Sequence, residues 1–175
     1  VDDNGTVGAT GSLKTSTYKT AEEFVEDSKK LIEQLGEEIG GKNKITGFGI
    51  AAPNANHYTG EVGPAPNVVW AHDEKCNLGS LMEEATGIPC SVTNDANAAA
   101  LGEKKYGVGK KFKDFIMITL GTGLGSGIIV NHELLYGKNG YAGELGHVYR
   151  QEAADRMCGC GRMGCLETIC SATGV

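Results

Sequence analysis

The stretch that decides the fold spans residues 115–130 and reads FIMITLGTGLGSGIIV. Apolar runs on both sides of a glycine-rich turn are typical of a β-hairpin. The pattern predicts a strand over Phe115–Leu120, a turn at Gly121-Thr122-Gly123 and a second strand over Ser126–Val130. The polar residues 131–133 then turn the chain again, so we expect an antiparallel meander here.

Upstream of the meander, strand patterns and helical patterns alternate. Thr20 followed by Glu23 is a capping box that begins a helix, and Gly40-Gly41 ends that helix. The other predicted elements are a strand over 45–52, a polar loop over 53–67, a helix from Leu78 to Gly87, a strand over 88–93 and a helix over 96–106. This alternation favours a mostly parallel α/β sheet.

The change of pattern near Lys110 predicts two domains. Residues 1–110 would form most of an N-terminal α/β domain, and residues 111–175 the start of a second domain. At the amino end, Asn4-Gly5 is a hairpin turn signal followed by the strand-like Thr6-Val7, but the first arm of that hairpin is almost absent. We therefore expect the chain to be a fragment whose first strand is missing.

Composition narrows the class of protein. The 175 residues are 40% hydrophobic and 22% charged, which is typical of a globular protein. A net charge of −6 offers no basic surface to nucleic acid or anionic lipid, so backbone amides and a metal ion would have to neutralise any bound phosphates. No apolar run approaches the ~18 residues of a membrane span, and the chain does not open on a leader-like segment. The expected compartment is the cytoplasm.

A cluster of metal-ligating residue types lies near the carboxyl end. His147 is followed by Cys158, Cys160 and Cys165, which together would complete a closed tetrahedral site for structural Zn²⁺. Disulfides are the alternative, but a bridge from Cys158 to Cys160 is geometrically poor and the cytosol would reduce it. The other cysteines are expected to be small core residues: Cys76, Cys90 and Cys170.

Asn94-Asp95 lies where a strand meets a helix. The carboxyl end of a strand in an α/β sheet is where a ligand-facing carboxylate is expected, although Asn or Asp before a helix is also a common N-cap. The glycine run after Leu120 has two interpretations as well, because its turn amides could face phosphate or could form a tight hairpin with no ligand.

Two glutamates flank the cysteine cluster. Glu144 and Glu167 could be ordinary solvated acids. Beside a rigid metal site they are also well placed to accept hydrogen bonds from a polyhydroxylated ligand.

Four ordered motifs resemble the ROK family (repressors, open reading frames, kinases) and, among its members, the bacterial glucokinases. They are Asn94-Asp95-Ala-Asn97, Leu120-Gly-Thr-Gly-Leu-Gly-Ser-Gly127, Gly143-Glu-Leu-Gly-His147 and Cys158-Gly-Cys-Gly-Arg-Met-Gly-Cys165-Leu-Glu167. The resemblance covers essentially the whole chain. It implies the actin-like, ribonuclease-H-like fold of two α/β domains, and ATP-dependent phosphorylation of a hexose, with glucose 6-phosphate as the product.

The resemblance also implies roles for individual residues. Asp95 would be the catalytic base, and His147 would bind both zinc and sugar. The remaining sugar-binding residues would be Asn67, Asn94, Glu144 and Glu167, and the second phosphate loop would comprise Gly121, Thr122 and Gly123. Asn67 is included because Pro66-Asn67-Val-Val-Trp70 resembles a segment of the family. The stretch Ala52-Pro53-Asn54-Ala55, in contrast, departs from the more glycine-rich loop of the family.

Further implied properties concern cofactors, partners and the missing parts. ATP, Mg²⁺ and Zn²⁺ are expected, together with a homodimer. The first phosphate loop, an Asp-x-Gly-Gly-Thr segment, would precede Val1, and most of the adenine pocket would follow Val175. The fragment alone is therefore expected to be inactive.

Two other classes compete with the kinase. A sugar-sensing transcriptional regulator of the same family would carry a helix-turn-helix domain before Val1, and the presence of Asp95 favours the kinase. An actin-like chaperone or filament protein would share the fold but gives no reason for the Cys₃His cluster.

Overall fold

The computed structural model describes residues 1–65 and 68–174. The chain divides into two compact units, Val1–Asn94 and Asp95–Val175. The division falls before the helix that precedes Lys110, because that helix packs on the strands that follow it. The domain boundary near Lys110 in the whole protein stays a prediction.

The first unit is built from helices and a parallel strand pair. Its elements are α1 (Ala21–Glu38), β1 (Phe48–Ala51), α2 (Leu78–Thr86) and β2 (Cys90–Thr93). β1 and β2 pair in parallel, with Phe48 opposite Cys90 and Ala51 opposite Thr93. Both strands are shorter than the predicted 45–52 and 88–93. Ile45, for example, caps a short 3₁₀ turn and lies outside the ladder.

α1 begins directly after the predicted capping residue Thr20, and both ends of α2 are capped as well. Thr20 Oγ1 accepts from Glu23 N at 3.2 Å, and the Glu23 carboxylate accepts from Lys19 N at 2.9 Å. Asn77 caps α2 by accepting from Ser80 N, and Gly87 ends it with a left-handed φ of 70°. The apolar faces meet in one core, which comprises Val25, Ala52, Ala55, Val62, Leu78, Met82 and Val92.

The predicted turn at Asn4-Gly5 forms, but the strand after it does not. Gly5 N donates to Asp2 O at 3.0 Å, and Asp2 N donates to Thr6 O at 3.0 Å. Thr6 and Val7 are irregular rather than strand-like. A strand needs a hydrogen-bonded neighbour, and no ladder partner for these two residues lies in the described ranges.

The second unit contains the predicted meander. Its elements are α3 (Asp95–Lys105), β3 (Phe115–Leu120), β4 (Leu124–Val130), β5 (Glu133–Leu134) and the one-turn helix α4 (Glu167–Cys170). The three strands form an antiparallel sheet in the order β3-β4-β5. β4 begins two residues earlier than expected because Leu124 pairs with Leu120, so the connecting turn is only 121–123.

Glycines on β4 allow α3 to lie directly on the sheet. A Cβ on Gly127 would be 2.5 Å from the Cβ of Ala100, and a Cβ on Gly125 would be 2.8 Å from that of Ala96. Both alanines are at most 3% exposed. Half of the glycine run therefore serves helix–sheet packing. Within the described ranges, none of the helices is long and apolar enough to span a bilayer.

Candidate functional site

Asp95 is the first residue of α3, one residue beyond Asn94 and two beyond the end of β2. Its Oδ1 accepts from Ala96 N at 2.8 Å, so the carboxylate does bond to the start of the helix. Asp95 is nevertheless exposed, and its negative charge contributes to raising the pKa of Glu144. The carboxylate is thus available to a ligand and lies within electrostatic range of Glu144.

The segment that carries Glu144 and His147 packs tightly on β4. A Cβ on Gly146 would collide with the carbonyl oxygen of Leu124, and Gly143 has a φ of +92°. The buried hydroxyl of Ser126 donates to the carbonyl oxygen of Gly143. Ser126 therefore positions this loop, and the one sequence signal for it is a polar residue inside an apolar strand.

His147 lies between two carboxylates. Its Nε2 is 3.9 Å from Oε2 of Glu144, and its Nδ1 is 3.8 Å from Oε1 of Glu167. Burial raises the pKa of Glu144, and the neighbouring charges of Asp95 and Glu167 raise it further, while His147 lowers it. Four predicted site residues of the second unit are therefore close together.

Glu167 is not a solvated acid. Its side chain is 19% exposed. One carboxylate oxygen accepts from Leu124 N at 3.3 Å, and the other accepts from the Cys158 thiol at 2.9 Å. Glu167 is consequently held between β4 and the cysteine loop, whereas the side chain of Glu144 is 47% exposed.

The ligand atoms of His147, Cys158, Cys160 and Cys165 lie within 4.8 Å of one another. The Sγ atoms of Cys160 and Cys165 are 3.7 Å apart, and Cys158 Sγ is 3.6 Å from His147 Nδ1. Zn–S bonds of ~2.3 Å and a Zn–N bond of ~2.0 Å give tetrahedral edges of about 3.8 Å and about 3.5 Å. Two of the six distances between ligand atoms therefore match a tetrahedral zinc site.

All six cysteines are free thiols. Burial raises the pKa of Cys158 and of Cys165 in the absence of metal, so a cation would have to displace their protons. Cys76 and Cys90 pack against the core of the first unit but remain half-buried, and burial raises the pKa of Cys90 to about 11. The half-buried Cys170 donates to Leu166 O at 3.2 Å.

The glycine turn borders a cavity of about 460 Å³. Gly121 N donates to Gly123 O at 3.0 Å, and Thr122 and Gly123 line the cavity. The cavity lining also includes two residues that the sequence pattern does not single out, Arg156 and Thr173. Both residues belong to polar loop segments, in which the sequence carries only a weak signal for a binding site.

Two further predicted sugar-binding residues precede Asp95 in the chain. Asn94 is the last residue of the first compact unit. Asn67 lies outside the described residues, as does Pro66. The segment 52–55 that departs from the family pattern also belongs to the first unit.

The mixed α/β fold, with its glycine turn and the carboxylate at the start of α3, is that of the actin-like ATPase class. The family model of the ROK family matches residues 1–175. The chain belongs to the ROK family, and its fold is that of the ROK sugar kinases.

Three similar proteins illustrate the range of the family. The glucokinase of Streptomyces coelicolor is 40% identical over 171 residues, which are 98% of this chain and 51% of that protein. The xylose repressor of Caldicellulosiruptor bescii is 37% identical over 155 residues, 83% of this chain and 38% of that protein. The crystal structure of a ROK family glucokinase from Streptomyces griseus in complex with glucose and AMPPNP is 38% identical, with a TM-score of 0.70 over 90% of this chain and 48% of that one. The chain therefore spans about half the length of the relatives that it matches.

Proposed function

We propose that the whole protein transfers the γ-phosphoryl group of ATP to the primary hydroxyl of glucose. The observation that carries the proposal is the grouping of Asp95, Glu144, His147 and Glu167 in one unit, next to the glycine turn of β3 and β4. The Streptomyces griseus relative is described with glucose and AMPPNP, which supports the choice of sugar and donor.

In this proposal Asp95 orients the sugar hydroxyl and accepts its proton. Phosphoryl transfer passes through a loose transition state, so the base contributes more through position than through basicity. The exposed carboxylate at the start of a helix meets that requirement, since its backbone is held by α3.

Sugar hydroxyls would be held by the carboxylates of Glu144 and Glu167 and by His147. With Nδ1 directed to the cysteine cluster, Nε2 of His147 stays available on the side of Glu144. Because buried polar groups reject a mispaired analogue strongly, such a site can discriminate among hexoses. Asn94 and Asn67 complete the proposed sugar-binding set.

We further propose that His147, Cys158, Cys160 and Cys165 hold a structural Zn²⁺. The fit of their spacing to tetrahedral edges supports this assignment. When bound, zinc would fix the loop that presents His147 and would supply no redox chemistry. Mg²⁺ would neutralise the phosphates, and the turn Gly121-Thr122-Gly123 would bind them through the amides of Thr122 and Gly123.

The test is an ATP-coupled phosphorylation assay on the full-length protein across several hexoses. We expect glucose to have the highest kcat/KM, with mannose and N-acetylated hexosamines as the main rivals. A preference for an N-acetylated sugar would overturn the choice of substrate. The 175-residue chain assayed at equal concentration is expected to be inactive, and turnover equal to that of the full-length protein would contradict the placement of the nucleotide site.

A sugar-responsive regulator is the second candidate, because the xylose repressor of Caldicellulosiruptor bescii is among the relatives. A regulator would bind sugar without turning over ATP, and would bind a DNA operator in a sugar-dependent way. Sugar binding with no phosphorylation by the full-length protein would favour it. A homodimer and a cytoplasmic location stay predictions.

A further inference from the structure

Two of the four residues that follow α4, at the carboxyl end of the second unit, hydrogen-bond to the glycine turn. We name residues 171–174 the strap. Ala172 N donates to Gly121 O at 2.9 Å, and Thr173 Oγ1 donates to Thr122 O at 2.7 Å. Two consecutive carbonyls of the turn are thereby tied to the strap.

Both hydrogen bonds to the strap use carbonyl groups of the turn, so they occupy none of its N–H groups. Within residues 1–65 and 68–174, the N–H groups of Thr122 and Gly123 donate to no protein acceptor. Both residues line the cavity of about 460 Å³. Successive unpaired backbone amides form a concave site for an anion, so the strap leaves the turn suited to phosphate.

The strap is itself held firmly. Arg156 donates from Nη1 to the carbonyl oxygens of Thr168 and Gly174, at 2.6 and 2.7 Å. Ser171 is 2% exposed, and its hydroxyl is 3.2 Å from that of Thr173. A Cβ on Gly174 would be 2.8 Å from Thr168 O, so the strap lies directly against α4.

We propose that Thr173 is a positioning residue for nucleotide binding, because its hydroxyl fixes the Gly121–Gly123 turn with the amides available to the phosphates. The inference rests on the proposed function, since it concerns the nucleotide side of the same reaction. Thr173 acts through the turn and has no role toward the sugar.

The effect of removing this hydroxyl follows from one hydrogen bond. A net contribution of ~0.5–1.5 kcal/mol corresponds to about a 2- to 12-fold change in an equilibrium constant. Thr173→Val keeps the shape of the side chain and removes the donor. We expect it to raise the Kd for AMPPNP by that factor and to leave the Kd for glucose unchanged.

The experiment is isothermal titration of the full-length protein with AMPPNP and Mg²⁺, and separately with glucose. Thr173→Ser should restore the affinity for AMPPNP, because serine keeps the donor. Thr17→Val is the matched control. Thr17 is also exposed, and its hydroxyl donates to a backbone carbonyl at the same 2.7 Å, but it belongs to the first unit. In steady-state kinetics, Thr173→Val should raise KM for ATP more than it lowers kcat.

Each outcome decides the proposal. A selective loss of AMPPNP affinity that serine restores supports it. Equal weakening of AMPPNP and glucose, or no change in either, overturns it in favour of a purely structural strap. If the unaltered protein binds glucose but no AMPPNP, the proposed kinase function fails first and the inference fails with it.

Discussion

Gly127→Ala should destabilise the protein through α3 rather than through any ligand. The added Cβ would lie 2.5 Å from the Cβ of Ala100 and 3.0 Å from the carbonyl oxygen of Ala96. Carbon atoms pack at ~3.5–4.0 Å, so α3 and β4 would have to separate by about 1 Å. Overpacking of this kind costs ~1–3 kcal/mol.

The same substitution on α3 itself should have the opposite effect on stability. Gly102 has nothing within 4 Å of its added Cβ. Gly102→Ala should therefore stabilise the protein by ~0.5–1 kcal/mol, the usual gain for alanine within a helix. Comparing Gly127→Ala with Gly102→Ala separates the effect of the close contact from the general effect of replacing glycine by alanine.

The contact itself is tested by a double mutant. Ala100→Gly should cost ~1 kcal/mol alone through helix propensity. Combined with Gly127→Ala, it removes the collision, so the double variant should be more stable than the sum of the singles by ~0.5–3 kcal/mol. The carbonyl oxygen of Ala96 keeps the rescue partial.

The assay is urea unfolding of the full-length protein followed by circular dichroism, with AMPPNP titration in parallel. A Gly127→Ala variant within about 0.5 kcal/mol of the unaltered protein would refute the packing argument. Strict additivity in the double mutant would refute it too. Unchanged stability with lost AMPPNP binding would assign this glycine to the phosphate site instead.

Four further outcomes are expected. Asp95→Asn should lower kcat by ~10²–10⁴ with little change in glucose Kd, because the Asn side-chain oxygen can still accept from Ala96 N while the basic carboxylate is lost; lower stability with normal turnover would leave Asp95 with a structural role alone. Under the proposed zinc assignment, Cys165→Ser should lower the zinc content from one ion per chain to near zero, measured by elemental analysis, and lower the melting temperature; unchanged zinc content would contradict the site. Burial raises the pKa of Glu144, so the stability that its neutral form contributes is present below its unfolded pKa of ~4.3 and is lost as pH rises through the folded pKa. Glu144→Gln should therefore be more stable than the unaltered protein at pH 7, as measured by unfolding, and should bind glucose less tightly, as measured by titration. With its pKa raised to about 11, Cys90 should be alkylated at pH 8 on the order of 100-fold more slowly than a peptide thiol of pKa 9.0, and equal rates by mass spectrometry would contradict its burial.

The meander and the helix ends could be predicted because their signals are local. Thr20 and Glu23 lie within one helical turn, and Gly87 ends α2 through its own left-handed conformation, so local sequence alone predicts these two helix ends. The sequence pattern did not locate the start of β1, which was expected at Ile45, or the start of β4, which is at Leu124. They depend on where pairing with another strand stops, which is a property of the ladder rather than of the strand.

Some features of the candidate site depend on residues close together in sequence, and others depend on residues far apart in sequence. Amino-acid type and spacing in the sequence by themselves predicted that the thiols of Cys158, Cys160 and Cys165 lie together, because three cysteines within eight residues of a glycine-rich loop stay close to one another. The same holds for Asp95, which follows a strand and begins a helix.

Only the tertiary structure decided what holds these groups in place. It separated Gly127, which packs against Ala100, from the turn at 121–123, although both belong to one glycine run. It also brought Ser126 to the loop of Glu144, and Thr173 to a turn 51 residues earlier in the chain. These contacts join residues far apart in sequence through single hydrogen bonds or close approaches, and no local pattern encodes which partner will be there.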